Sequence, residues 1–357
     1  MADITFAKKT TLDSLNSNIS SYLSDTKYRI DVSKSVITNN GTWNSISTLP
    51  YEFYHGSAVV YNNEIHILGG SGNKTAHYKW NGTSRTSEST LPYPFYQSSA
   101  VVYNNEIHIL GSYNSSYYTA HYKWNGSSWI SVSTLPYSFY RGSAVVYNNE
   151  IHLLGGSGGN TKHYKWNGSS WTSVSTLPYS FNRGSAVVYN NEIHILGSYN
   201  DTTNHYKWDG SSWISVSTLP YDFYRGSAVV YNNEIHILGS SGNDTAHYKW
   251  DGFLWTSVST LPYSFYLGSA VVYNNEIHIL GGSVDTTAHY LYTFIYSISY
   301  QLFQNMKIIC NKSILTPISS NLSEITDGYE VTSTGLVQLQ SSEPISETNR
   351  PLLTILS

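Results

Sequence analysis

Three features of the sequence predict an all-β ring of six four-stranded blades, a β-propeller. One phrase returns every 42 to 44 residues, each copy holds four strand-like segments, and a strand missing from the last copy precedes the first. The triplet Leu-Pro-Tyr marks the period, with its proline at Pro50, Pro92, Pro136, Pro178, Pro220 and Pro262. Four short strands in a period near 42 residues make one propeller blade.

The third copy shows how each element follows. Ser143–Tyr147 is short, apolar and β-branched, which suits an innermost strand buried on both faces. Asn148-Asn149 is a two-residue hairpin turn, because Asn tolerates the positive φ of a type I′ turn. Glu150–Leu154 is the second strand and stops at Gly155-Gly156. After a variable loop, His163–Trp166 forms the third, and Asn167-Gly168 turns the chain into a fourth that starts at Trp171. Leu-Pro-Tyr ends it, since proline cannot donate to a ladder. No part of the array has helical periodicity.

The sixth copy supplies Ser269–Tyr273, Glu276–Leu280 and His289–Tyr292, then leaves the pattern. Its missing fourth strand lies before the first copy, in Trp43–Pro50. Joining the two closes the ring over residues 38–293 and leaves no open sheet edge.

Composition excludes several classes of function. Charged residues are only 12% of the chain, whereas there are 33 Tyr and 10 Trp, so aromatic rings supply the packed area. A formal charge of −4, with no basic run beside the aromatics, predicts no binding to nucleic acid or to an anionic membrane. The single cysteine, Cys310, excludes an intrachain disulfide framework and a multi-thiolate metal site. Residues 1–9 lack the apolar stretch of a signal peptide, and no window is as long as a membrane span. The sequons at Asn81, Asn125 and Asn167 fall on turn positions and read as turn chemistry.

Among propellers the blade resembles the kelch repeat. It has a basic residue ahead of the first strand (Arg141, Arg183, Arg225), a Gly-Gly doublet (Gly69-Gly70, Gly155-Gly156, Gly281-Gly282), a Tyr (Tyr164) and a later Trp (Trp171). Three doublets depart to Gly-Ser (Gly111-Ser112, Gly197-Ser198, Gly239-Ser240). Arg85 with Glu88 replaces the usual Trp and Val, which predicts a locally weaker blade. The resemblance implies a binding scaffold, although fold alone does not fix function. The leader Ile4–Leu15 and the tail Gly328–Val337 resemble parts of phage and prophage tail-associated proteins, which implies a virion location. Otherwise the expected location is cytoplasmic.

Two histidines recur per blade: His66, His108, His152, His194, His236 and His278 in the second strand, and His77, His121, His163, His205, His247 and His289 in the third. Metal ligands must converge, and one copy per blade spreads around a ring instead. These histidines therefore read as packing between blades, and pairing of the two series is not expected. No metal and no cofactor is predicted. Cys310 lies outside the repeats, which argues against a copper oxidase of the galactose oxidase kind. An Asp-box like that of six-bladed sialidases lacks its Asp at Thr38–Trp43. The repeated Glu64, Glu106, Glu150, Glu192, Glu234 and Glu276 read as polar ends to a turn, not as a glycosidase acid and nucleophile.

Variation between copies carries the functional signal. The Tyr-Asn-Asn-Glu and Asn-Gly or Asp-Gly turns barely change and share one face. The second-to-third-strand loops and the connections between blades share the other, and differ. Before the first strand the copies read Tyr54-His55, Tyr96-Gln97, Tyr140-Arg141, Asn182-Arg183, Tyr224-Arg225 and Tyr266-Leu267. The loops add Tyr113, Tyr117, Tyr118 and Tyr199. Function gathers on loops held by a rigid scaffold. Three consecutive arginines beside Tyr or Asn can bind polar ligands or a carboxylate, and tyrosine faces suit sugar rings. Unconstrained drift, with Arg-Gly-Ser merely bracing the blades, is the alternative.

Leu12, Leu15, Ile19 and Tyr22 predict a short amphipathic helix within residues 10–24, part of a leader over residues 1–37. Residues 294–357 predict a small β-rich appendage, with strands near residues 306–310 and 335–340. The expected function is a non-enzymatic, ligand-binding propeller. It would bind a host-surface glycan or protein and contact other tail proteins through its flanks. An intracellular kelch adaptor and a glycan-active hydrolase are the alternatives.

Overall fold

A computed structural model describes residues 41–293 apart from Ser115, Gly159 and Asp285, together with the backbone pairing of short strands in both flanks. Trp43–Tyr292 forms one compact unit, a six-bladed propeller of four-stranded antiparallel sheets. In the first blade the strands are Ser57–Tyr61, Glu64–Leu68, His77–Trp80 and Arg85–Ser87, each paired with the next. The other blades repeat this order, and the sixth takes Thr42–Ser45 beside His289–Thr293 as its outermost strand. Closure is therefore made by the N-terminal strand. Its continuation follows the same path, with Ile46 N donating to His289 O at 3.0 Å and Leu49 N to Thr287 O at 2.7 Å.

Local chemistry explains each turn. Asn62 and Asn63 have φ of 49° and 58°, and the other five Asn-Asn pairs match, as a type I′ turn requires. In the turn before the fourth strand Asn81 Oδ1 accepts from Thr83 N and Ser84 N, both at 3.0 Å, and Asn125 and Asn167 do the same in theirs. The sequons are thus Asx turns.

The core lies between blades. Val59, Tyr61 and Leu68 of the first blade pack with Ile107, Ile109 and Trp124 of the second and with Leu91, Tyr93 and Phe95 of the connection. The connection Phe is 0% exposed in all six copies: Phe53, Phe95, Phe139, Phe181, Phe223 and Phe265. Its Leu-Pro-Tyr tyrosine donates to the first glycine carbonyl of the doublet, as in Tyr137 Oη to Gly155 O at 2.9 Å. That first glycine cannot carry a side chain. A Cβ on Gly155 (φ 62°) would sit 2.1 Å from Phe181 O.

The second doublet position has two solutions. In Gly-Gly blades it takes positive φ, as at Gly156 (90°), and Gly156 N donates to Phe181 O at 2.8 Å. In Gly-Ser blades a fully buried serine braces the connection through its hydroxyl. Ser198 Oγ donates to Ser180 O at 2.6 Å and accepts from Asn182 N at 3.1 Å. The first strand is less sealed than expected. Its serine and its second valine are half-buried while Tyr is buried.

The chain ends form a second compact unit of residues 1–42 and 293–357. Asp3–Thr5, Leu352–Leu356, Lys307–Ile309, Gly328–Val331 and Leu322–Ile325 make a five-stranded sheet in that order. Ile37–Asn39, Tyr296–Leu302, Gly335–Ser341 and Leu315–Pro317 make a four-stranded one. Strands expected near residues 306–310 and 335–340 are present; the expected helix within residues 10–24 lies outside the described residues. Among the described residues no helix is long and apolar enough to cross a membrane.

At the closing interface Arg85 stands where the other five blades place Trp43, Trp129, Trp171, Trp213 and Trp255. Those tryptophans pack on a third-strand histidine of the preceding blade, as Trp171 does on His121 at 5.7 Å. Arg85 reaches the same neighbours, Ser47 and His289, through its guanidinium, but its Nε is buried without a partner. Glu88 turns to Lys79 at 3.0 Å. An orphaned buried donor is costly, and an aromatic pair contributes about 0.5–1.5 kcal/mol. Arg85→Trp should therefore stabilise the propeller by about 1 kcal/mol, a rise in Tm of roughly 2–4 °C for a unit of this size. Differential scanning calorimetry measures it, and a lower Tm would show that the cross-seam hydrogen bonds outweigh the packing.

Candidate functional site

One residue per blade, just before the first strand, joins its neighbours into a closed ring. Gln97 N donates to His55 O, Arg141 N to Gln97 O, Arg183 N to Arg141 O and Arg225 N to Arg183 O, each at 2.7 Å. Leu267 N donates to Arg225 O at 2.8 Å, and His55 N to Leu267 O at 2.7 Å completes the circle. A parallel ring lies within the first strands, where each serine hydroxyl accepts from the next blade's alanine, as in Ala144 N to Ser99 Oγ at 3.1 Å. The innermost strands are thus tied twice, and the six residues line the axial mouth of the ring.

This mouth opens on the variable face. In every blade the second-to-third-strand loop donates to the residue before the ring position, as in Tyr113 N to Tyr96 O at 3.0 Å and Tyr199 N to Asn182 O at 2.9 Å. Both variable connections therefore share a face. The invariant turns meet on the other, where Tyr189 Oη donates to Asp251 O at 3.3 Å.

All six ring positions have positive φ: 61° at His55, 53° at Gln97, 60° at Arg141, 62° at Arg183, 62° at Arg225 and 64° at Leu267. That region favours glycine, and a side chain there costs about 1–3 kcal/mol. None of the six is glycine.

The side chains fill the mouth unevenly. Arg141 Nε donates to Gln97 Oε1 at 2.7 Å, and its guanidinium lies 4.6 Å from the Tyr113 ring centre and 5.6 Å from that of Tyr140. Tyr118 stacks on Tyr140 at 5.0 Å, and Tyr113 meets Tyr96 edge-on at 5.8 Å. Arg183 lies over Tyr199 at 5.4 Å, and Arg225 over Tyr224 at 5.7 Å. Tyr54 leans on His55 at 5.7 Å. Burial, then the charges of Arg225, Arg183 and Arg141, lowers the His55 pKa to about 4, so this imidazole is neutral at pH 7. The three guanidinium groups therefore face one shared space. Among the described residues none of them makes an ion pair.

Of the residues expected at the site, Tyr54, His55, Tyr96, Gln97, Tyr113, Tyr118, Tyr140, Arg141, Asn182, Arg183, Tyr199, Tyr224 and Arg225 lie at the mouth or in the loops beside it. Tyr117 does not. It stacks on buried Tyr93 at 5.1 Å and joins the core between blades. Two neighbours complete the set: Lys74 sits 4.3 Å from the Tyr96 ring centre, and Ser157 Oγ accepts from Asn182 Nδ2 at 3.0 Å. The only hint of Ser157 was that it stands where two other loops have tyrosine.

The histidines do pair, contrary to expectation. The two series meet within each blade, Nδ1 of the second-strand histidine to Nε2 of the third-strand one, from His66–His77 at 2.8 Å to His278–His289 at 3.0 Å. The register explains it: His66 and His77 lie on the same face of adjacent strands, with His66 opposite Lys79 and His77 opposite Leu68. Packing between blades also holds, since His77 meets Trp124 edge-on at 5.1 Å. Among the described residues no group of three or more His, Cys, Asp or Glu could hold a metal ion. In the first five blades the repeated glutamate makes an ion pair with the third-strand lysine, as in Lys165–Glu150 at 2.9 Å.

No protein-family model and no curated protein sequence matches the chain. Among solved structures it is similar to one described as "Structure of YjhT", at 15% identity and a TM-score of 0.62, over 72% of this chain and 99% of that one. At that identity the likeness shows a shared fold.

Burial is the first cause that holds His152 at about 4 and His163 at about 3, and burial is likewise the first cause that lowers the histidines of the other pairs. Unfolded histidine titrates near 6.5. On acidification the unfolded chain takes up protons before the folded one, so stability is full above about pH 6.5 and falls toward pH 3–4. Urea midpoints measured from pH 7.5 to 4.5 should drop steadily below pH 6.5. A flat profile would mean that the pairs are not buried and neutral.

Proposed function

We propose that this protein is a kelch-type binding propeller that seats a polar ligand, a host-surface glycan or protein, at its axial mouth. One observation carries this reading. Six positions whose backbone favours glycine carry His, Gln, three Arg and Leu, with tyrosine rings around them. Side chains held at a backbone cost, on the face where the copies differ, point to a ligand. Drift alone gives no reason to retain them. The aromatic rings provide flat apolar faces for sugar C–H groups, and the guanidinium groups provide planar donors.

The leader and tail resemblance adds the setting. On this reading the protein is a phage-tail component, its flanks attach it to other tail proteins, and the mouth faces the host. The work is binding. Five of the six repeated glutamates, those of the first five blades, are engaged with lysines beside the invariant turns, away from the mouth.

A glycan array and host-cell binding with the full chain test this. Arg183→Gly should leave the Tm unchanged or slightly higher, because glycine is at ease at φ 62°, while binding falls at least tenfold. Tyr224→Ala should also weaken binding about tenfold, and Tyr117→Ala should lower the Tm while affecting binding little. If no glycan and no host surface binds the wild-type chain, the proposal fails.

A further inference from the structure

Resting on that reading of the mouth, we propose that the ligand is an acidic sugar whose anionic group sits between Arg183 and Arg225, beside Asn182. The three arginines are alike in sequence but differ in their partners. Arg141 is already engaged by Gln97 Oε1 at 2.7 Å and by the rings of Tyr113 and Tyr140, so it acts as a wall. Among the described residues the Arg183 and Arg225 side chains have no hydrogen bond or ion pair, only the faces of Tyr199 and Tyr224. Arg225 Nε is buried with no acceptor. Leaving such a donor unmet is costly, and two neighbouring cations without a counter-charge repel one another. Burial, then Arg141 and Arg225, lowers the Arg183 pKa, yet a guanidinium stays charged at any working pH. An acceptor from outside the chain would satisfy both groups at once.

Asn182 supplies the second half of the recognition. Its Nδ2 is taken by Ser157 Oγ at 3.0 Å, which leaves Oδ1 buried and without a donor. The mouth therefore presents donors for an anion and, on the residue preceding Arg183, one acceptor left unmet. A sugar acid has that pairing, an anionic group with hydroxyl or amide N–H groups on adjacent ring atoms. Tyr199, 54% exposed, offers a face for the ring itself. A carboxylate and a sulfate ester present the same chemistry to two guanidinium groups.

Titration calorimetry with the full chain separates the outcomes. The probes are tri-galacturonate, its methyl ester, a heparin-derived tetrasaccharide and a short poly-glutamate peptide. The acid or the sulfated sugar should bind at least tenfold more tightly than the uncharged ester, and added salt should weaken it. Whichever of the two is tighter identifies the anion as carboxylate or sulfate. Arg183→Gln and Arg225→Gln should each cost at least tenfold at unchanged Tm, and Asn182→Asp should weaken binding by repulsion. Arg141→Gln should cost several-fold less. Equal binding of acid and ester overturns the anionic seat while leaving a glycan site at the mouth. An Arg141→Gln loss as large as that of Arg183→Gln overturns its placement, and tighter binding of poly-glutamate overturns the sugar. Absence of all glycan binding instead removes the underlying reading.

Discussion

The molecule depends on a circle of six backbone hydrogen bonds at its axis, running from His55 through Gln97, Arg141, Arg183 and Arg225 to Leu267 and back. Each of the six residues lies in the left-handed region, with its N–H donating to one neighbour and its C=O accepting from the other. The cost in backbone strain is met by cooperative closure: breaking one link would open the circle and expose polar groups on two blades. The serine-to-alanine ring beneath it repeats the constraint. Together they hold the first strands at a fixed spacing, from which the remaining strands of every blade are built outward.

Between blades the interface is aromatic and polar at once. Histidine pairs lie among Ile, Leu and Trp, and hydrogen bonding within the pair reduces the cost of burying two imidazoles. The outer Nε2 of His66, His108, His152 and His236 is still buried without a partner. The interface therefore relies on the imidazoles staying neutral, which ties the stability of the whole ring to pH. The seam between the last blade and the first is the least regular of these interfaces, because Arg85 supplies charge where the others have indole.

Much of this was readable in the chain. The period, the four strands, the Asn-Asn turns and the closing role of Trp43 all follow from repetition, and repetition survives any local error in strand limits. The difference between faces was legible for the same reason, since copies that agree at Asn148-Asn149 disagree at Arg141. Histidine pairing was not. His152 and His163 are separated by a loop of variable length, and only the register that sets Leu154 opposite His163 puts the two rings on one face at bonding distance. Tyr117 misled for a related reason: its neighbour Tyr118 reaches the mouth, while Tyr117 itself turns to Tyr93.

The sequence by itself determined a six-bladed ring, its closure and the face where its copies vary, because those depend on pattern and period. Tertiary structure alone decided which side chains share the mouth and which of them are already engaged. Three arginines spaced 42 residues apart are equivalent in sequence, and only the closed circle makes Arg141 a wall beside Gln97 while Arg183 and Arg225 are left without a counter-charge among the described residues. Convergence around an axis is a long-range property, set by where six separate connections meet rather than by any residue's neighbours in the chain.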